Sequence, residues 1–159
     1  MLSNRIVIDT NVCLDLFVFR DPRWLALHAA LRDGSVEAVT RADCRTEWLI
    51  VTEYRHLPLD TSARQNSRVE FDALIRCLPE ASYAQPPVKL PICRDPDDQK
   101  FLELARDASA AVLLTKDKAL LKLARWTRRA GMFAILPPES WAPVDAAKVS
   151  EVPAQPAMR

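Results

Sequence analysis

Apolar positions in this chain follow two periods. Four short runs, Arg5-Ile6-Val7-Ile8, Val36-Glu37-Ala38-Val39, Ala111-Val112-Leu113-Leu114-Thr115 and Phe133-Ala134-Ile135-Leu136, have the length and β-branched content of buried strands. Between them the spacing turns helical. Trp24, Leu27, His28 and Leu31 lie at i, i+3, i+4 and i+7, so they share one face of a helix from about Arg23 to Arg32, closed by Asp33-Gly34. Further helices are expected from Asn11 to about Phe19, from Asp43 to Tyr54, and from a Thr61-Ser62 cap to about Cys77. Asp95 and Pro96, as N-cap and first helical residue, open another that runs to about Ala108. A last helix spans Asp117 to Ala130 and ends at Gly131. The Pro-rich stretch from Pro79 to Pro91 holds at most a short extended strand around Ser82 to Ala84, and one further turn is expected from Glu139 to Trp141.

Apolar strands alternating with amphipathic helices predict an α/β domain: a mostly parallel sheet of about five strands with helices on both faces. The domain is expected over 1–142. The remaining 143–159, rich in Ala, Pro and Val, reads as a loosely ordered tail. In such sheets ligands bind beyond the carboxyl ends of the strands. Asp9 follows the first strand directly, Asp117 lies two residues past the 111–115 strand, Asp98 opens the helix leading into that strand, and Glu47 lies in the first turns of the helix after the second. The topology therefore allows all four to face one crevice.

Bulk properties narrow the function less than the pattern does. With 159 residues, 49% hydrophobic and 27% charged, the chain reads as an ordinary globular domain. Its 22 basic and 21 acidic residues leave +1, so overall charge makes no case for nucleic acid. Cys13, Cys44, Cys77 and Cys93 form no Cys-x-x-Cys and only two histidines are present, so neither disulfides nor a zinc site is expected. The first residues show no basic and apolar leader, and no apolar run reaches the ~18 residues of a membrane span. A cytoplasmic protein without membrane contact is expected.

The four acids each have an ordinary alternative. Asp9 and Asp117 can serve as N-caps, worth about 1 kcal/mol each. Asp98 competes with its neighbour Asp97. Glu47 competes with Glu53, about 240° away on the helical wheel, so the two cannot face one crevice equally. Jointly the acids are harder to explain, because two carboxylates ~5 Å apart repel by roughly 3 kcal/mol at an effective dielectric near 20. A bound divalent cation resolves that repulsion. Near them the stretch from Lys116 to Arg129 carries Lys116, Lys118, Lys122, Arg125, Arg128 and Arg129, either a solvated helix face or a surface for phosphates. Trp24, Trp48, Trp126 and Trp141 are core candidates first and base-stacking candidates second. Asn11 stands where a haloacid-dehalogenase phosphatase needs a second Asp, and a phosphoacceptor receiver lacks its paired acids and lysine, so both classes drop out.

Ile6-Val7-Ile8-Asp9-Thr10-Asn11-Val12, the run from Asp95-Pro96-Asp97-Asp98 to Phe101-Leu102 and Leu104-Ala105, Leu113-Leu114-Thr115-Lys116-Asp117, and the closing Ile135-Leu136-Pro137-Pro138-Glu139-Ser140-Trp141 resemble the PIN-domain nucleases. The likeness spans roughly residues 4 to 142 and is closest to the toxin (VapC-like) branch of bacterial toxin–antitoxin pairs. The resemblance implies a three-layer α/β/α sandwich, a Mg²⁺ or Mn²⁺ centre, and endoribonuclease hydrolysis of RNA phosphodiesters. By position, Asp9, Asp98 and Asp117 would hold the metal, Glu47 would be the fourth catalytic acid, and Thr10, Asn11 and Thr115 would orient carboxylates or waters. Lys116, Lys118, Lys122 and Arg125 become candidate RNA contacts. A cognate antitoxin and a homodimer are further expectations of the same kind. The alternative is a catalytically weak module of this type that binds RNA or a protein partner.

Overall fold

The computed structural model describes residues 4–80 and 87–143. Five strands make one sheet: β1 Arg5–Ile8, β2 Glu37–Thr40, β3 Ile75–Cys77, β4 Val112–Leu114 and β5 Ala134–Leu136. Their order is β3-β2-β1-β4-β5, and every pairing is parallel. Helices α1 Thr10–Phe17, α2 Leu25–Asp33, α3 Ala42–Val51, α4 Thr61–Leu74, α5 Gln99–Asp107, α6 Lys118–Leu121 and α7 Ala124–Arg129 fill the connections.

Strand alternation divides the core into two layers. The register sets Val7 beside Val39 and Leu113, and Leu113 beside Ile135. That row packs against Phe101, Leu102, Leu104 and Ala105 of α5 and Leu120 of α6. The opposite phase, with Ile6, Ile8, Ala38, Ile75 and Leu114, packs against Val12, Cys13, Leu16 and Phe17 of α1, Leu27 and Leu31 of α2, Trp48 of α3 and Phe71 of α4. The result is a three-layer α/β/α sandwich. Trp48 stacks on Phe71 at 4.9 Å and 12° between planes, and Phe17 meets both rings edge-on at 6.0 Å. Aromatic contacts of this kind add roughly 0.5–1.5 kcal/mol beyond burial. They also fix α3 against α1, which sets the position of Glu47, the residue before Trp48.

The central strand matters most for function. From β1 the chain builds outward to β2 and β3 on one side and to β4 and β5 on the other. The switch point therefore lies between the carboxyl ends of β1 and β4, where α/β sheets open a crevice. Pairing persists to the rim, with Asp9 N donating to Leu114 O at 2.9 Å.

Several elements depart from the expected bounds. The helix expected from Thr61 to Cys77 stops at Leu74, and Ile75–Cys77 form β3 instead. Pairing with β2 takes up the backbone groups on the inner side of this edge strand, and Ile75 is buried while Arg76 and Cys77 stay exposed. The helix expected from Asp117 to Ala130 divides into α6 and α7, because Leu123 flattens to φ −89°, ψ −3° between them. A 3₁₀ turn over Pro22–Trp24 precedes α2, and another over Pro96–Asp98 precedes α5. Gly34 takes φ +81° after α2, a left-handed cap that suits glycine. The extended segment expected around Ser82 to Ala84 and the tail expected from 143 lie outside the described residues, apart from Pro143. Among the described residues no helix is long and apolar enough to cross a membrane.

Candidate metal centre

Asp9 ends β1 and caps α1, 4% exposed, with Oδ1 accepting from Thr10 N at 2.7 Å. Its Oδ2 accepts from the Thr115 hydroxyl at 2.7 Å. Thr115 is wholly buried one residue past β4, and its oxygen also accepts from Asp117 N at 2.9 Å. One hydroxyl thus links the carboxyl ends of β1 and β4 across the switch point. Asp117 caps α6 through Oδ1, which accepts from Ala119 N at 2.7 Å. The N-cap reading of Asp9 and Asp117 is correct for the local structure, and it does not exhaust either carboxylate, since each oxygen carries two lone pairs.

The 3₁₀ turn Pro96–Asp98 brings the remaining acids close. Asp95, Asp98 and Asp117 each offer one carboxylate oxygen, and these oxygens lie within 4.8 Å of one another. Asp95 is exposed and accepts from Asp97 N at 3.0 Å, whereas Asp98 is 9% exposed. Asp98 Oδ2 is buried without a hydrogen-bond partner among the described residues. Several of its neighbours are carboxylates, Asp9, Asp95 and Asp117 among them, which accept and do not donate unless protonated, so a shared proton, a water or a cation is what can satisfy it. Burial first, then hydrogen bonding with Asp117 and the charge of Asp9, push the Asp98 carboxyl up to about 8. Asp9 rises to about 6, chiefly through burial, with the charges of Glu47 and Asp117 adding and the Thr115 hydrogen bond opposing. A set of hard carboxylate oxygens held this close fits a divalent cation that prefers oxygen ligands.

Glu47 reaches the same rim from α3. The Thr10 hydroxyl donates to Glu47 Oε2, and Lys100 Nζ donates to Oε1 at 3.0 Å. Lys100 also donates to Asp97 O and lies 5.3 Å from the Phe101 ring centre. Burial depresses the Lys100 ammonium, but the Glu47 hydrogen bond and charge outweigh it and the net shift is upward. Glu47, Lys100 and Asp97 line a cleft of about 380 Å³ with Thr46 and Tyr54. The rival Glu53 points elsewhere, paired with Arg68 at 2.7 Å and Arg64 at 3.8 Å. Asp97 stays exposed and enters this network through its backbone oxygen.

The structure thus gathers Asp95, Asp98 and Asp117 tightly, couples Asp9 to Asp98 and Asp117 by charge, and joins Glu47 to Asp9's neighbour Thr10. Asn11 reaches the turn after β4, its Oδ1 accepting from Lys116 N at 3.4 Å. Two participants were not read from the sequence as site residues. Asp95 looked like a cap only, although Asp95 and Asp98 stand at i and i+3 and so share a face of their turn. Lys100 is the cation that meets Glu47. Among the candidate RNA contacts, Lys116 is engaged, its Nζ 2.8 Å from the buried Asp15. Lys118, Lys122 and Arg125 are exposed and form no ion pair among the described residues. Trp24 and Trp48 are buried, whereas Trp126 is 41% exposed.

No curated protein matches the chain. A family model described as PIN domain matches residues 5–119, more than half the chain, a span that contains Asp9, Glu47, Asp95, Asp98 and Asp117.

Proposed function

The chain belongs to the PIN-domain family, and on that footing we propose that it is a metal-dependent endoribonuclease whose active centre is the crevice between β1 and β4. PIN domains are generally nucleases that use divalent metal ions. The observation that carries the proposal is Asp98: a buried carboxylate oxygen with no donor, set among further acids at the switch point of a parallel sheet. Structural caps do not explain it. A divalent ion held there would satisfy it.

Asp98 and Asp117 would hold a Mg²⁺ or Mn²⁺ ion with Asp95 or Asp9 completing the set. Such an ion supplies Lewis acidity, lowering the pKa of water and offsetting charge on the attacking and leaving oxygens of a phosphodiester. The protein's own groups do the positioning. Thr115 fixes Asp9 and the backbone entering Asp117 together. Thr10 and Lys100 hold the two Glu47 oxygens, so that Glu47 can accept a proton from the attacking water at a fixed place. Asn11 would keep the turn after β4 in register. Attack on phosphorus then breaks the bond to the leaving ribose oxygen, which takes up a proton. The motif likeness to the toxin branch supports RNA as substrate, a small antitoxin protein as inhibitor, a homodimer as assembly and the cytoplasm as location.

The test is cleavage of single-stranded RNA with Mg²⁺ or Mn²⁺ by the purified chain and by Asp9→Asn and Asp98→Asn. Metal-dependent cleavage lost in both variants supports the reading. Equal cleavage by all three identifies a contaminating nuclease, and no cleavage with either metal favours an RNA- or protein-binding module.

A further inference from the structure

Past Asp117 the charge changes sign abruptly. From Lys118 to Pro138 the sequence holds Lys118, Lys122, Arg125, Arg128 and Arg129 and not one acidic residue. Elsewhere on the described surface arginines are mostly engaged: Arg20 with Glu70, Arg23 with Asp21, Arg41 with Asp43 and Glu103, Arg45 with Asp72, Arg68 with Glu53. The five cations of α6 and α7 form no ion pair among the described residues, and all are exposed.

Their arrangement is ordered. Lys122, Arg125, Trp126 and Arg129 stand at i, i+3, i+4 and i+7, one face across the α6–α7 junction. The opposite face carries the buried Leu120 and Thr127, and it packs on the sheet. An i, i+3, i+4, i+7 row ordinarily marks the face that a helix buries; here the row is outward, cationic and centred on an indole that is 41% exposed. The four residues line a shallow cleft of about 530 Å³ with Ala130. Lys118 follows Asp117 directly and lies one turn before Lys122, so cations lead from the acidic crevice to the row.

We propose that Lys122, Arg125, Trp126 and Arg129 form a docking track for single-stranded RNA, the cations meeting phosphates and the indole stacking on a base. The proposal rests on the nuclease reading, and it names where the strand lies when its scissile bond is at the acids. The chemistry favours a single strand over a duplex, because bases in a duplex are already stacked and cannot reach the indole. It favours a nucleic acid because every nucleotide carries a phosphate beside a flat base, whereas an acidic polypeptide offers that combination only where an aromatic side chain adjoins its carboxylates.

Binding separates from cleavage if it is measured without metal. A labelled single-stranded oligoribonucleotide would be titrated with the full chain in EDTA, by fluorescence anisotropy, from 50 to 200 mM salt. Trp126→Ala is expected to weaken binding about 5- to 100-fold, and Trp126→Phe to restore most of it. Arg125→Gln combined with Arg129→Gln is expected to lessen the slope of log affinity against log salt by about 0.7 for each phosphate that is no longer neutralised. Melting curves of each variant verify folding, and the Phe variant tests the aromatic face in a side chain of similar shape. Wild-type affinity in Trp126→Ala, or an unchanged salt slope, overturns the proposal. So does a duplex of equal length that binds as tightly with the same Trp126 dependence, or polyglutamate that does so. The two readings fail separately: cleavage lost in Asp98→Asn with binding indifferent to Trp126 removes the track and keeps the nuclease, whereas Trp126-dependent binding with no cleavage under any metal does the reverse.

Discussion

Asp117 and Lys118 are adjacent in sequence, yet they belong to regions that treat charge in opposite ways. The acids at the β1–β4 rim are crowded, and Asp9 and Asp98 are buried among like charges. The cations of α6 and α7 are spread along an exposed face. Water and salt screen the second group within a Debye length of about 8 Å, so its mutual repulsion costs little and the fold tolerates it without any partner. Screening reaches Asp9 and Asp98, the buried members of the first group, far less than the exposed Asp95 or the half-buried Asp117. Asp98 Oδ2 meets no donor among the described residues, so its charged form is costly there and a cation or a shared proton relieves it. Burial is therefore what turns a cluster of charge into a statement about a ligand, and the acidic crevice is the stronger functional evidence of the two.

The largest expected effect comes from removing the buried charge. Asp98→Asn should lower RNA cleavage by more than about a hundredfold, exceeding the 10- to 100-fold typical of losing a group behind a metal ligand. The same variant should melt higher than wild type in EDTA at pH 8, since an amide carries no charge to bury. Lower melting in EDTA would mean that Asp98 supports the fold through ordinary hydrogen bonding, and the comparison with the cationic face would collapse.

The pH dependence follows from the same burial. Asp98 and Asp9 lose protons in the folded chain near 8 and 6, against 3.8 for an ordinary aspartate. The folded state therefore binds more protons than the unfolded state between about pH 4 and 8. Its stability is greatest at the low end of that window and falls as pH rises through it. Asp43 and Glu70, whose carboxyls are held low, act in the opposite sense but only at more acid pH. Urea unfolding in EDTA at pH 5, 6.5 and 8 should show this decline, and Asp98→Asn should flatten it. Adding Mn²⁺ should raise stability most at pH 8, where protons no longer compete, by about 2.7 kcal/mol at a hundredfold excess over Kd. A metal increment independent of pH would argue against carboxylate ligands.

Thr115→Val tests the link across the switch point. It keeps shape and removes one hydroxyl that serves both Asp9 and Asp117 N. Cleavage should fall roughly 10- to 100-fold, with the metal concentration for half-maximal activity shifted upward. Lys100→Met should act through Glu47, lowering kcat about tenfold with less change in KM, as happens when a positioning group is removed. If KM rises and kcat stays, Lys100 touches substrate phosphate instead.

Much of this was legible before the structure. Ile6-Val7-Ile8-Asp9 announces a buried strand ending in an acid, and the parallel order followed from strands alternating with helices. What escaped was set by pairing. Ile75-Arg76-Cys77 continues a helical sequence with no turn signal, and only β2 alongside makes it a strand. Asp95 escaped for a different reason: Asp-Pro reads as a complete cap, and no local pattern reports that its carboxylate also comes within 4.8 Å of one from Asp117. Lys100 pairs with a residue 53 positions away, a partner visible only in three dimensions.

The smallest effect concerns the other acid near the end of α3. Glu53 lies six residues after Glu47 and was its rival, but it is 58% exposed and held by Arg68 and Arg64 of α4. An exposed pair of this kind contributes about 0–1 kcal/mol, less at high salt. Glu53→Gln should therefore lower stability by no more than that and leave metal-dependent cleavage as in wild type. Glu47→Gln, by contrast, keeps the side chain's length, loses the negative charge facing Lys100, and should cut kcat by one to two orders of magnitude. Measured side by side, the pair asks whether position on the crevice or mere acidity governs activity. A loss in Glu53→Gln as large as in Glu47→Gln would show that the negative field of the α3 end matters more than contact with Thr10 and Lys100.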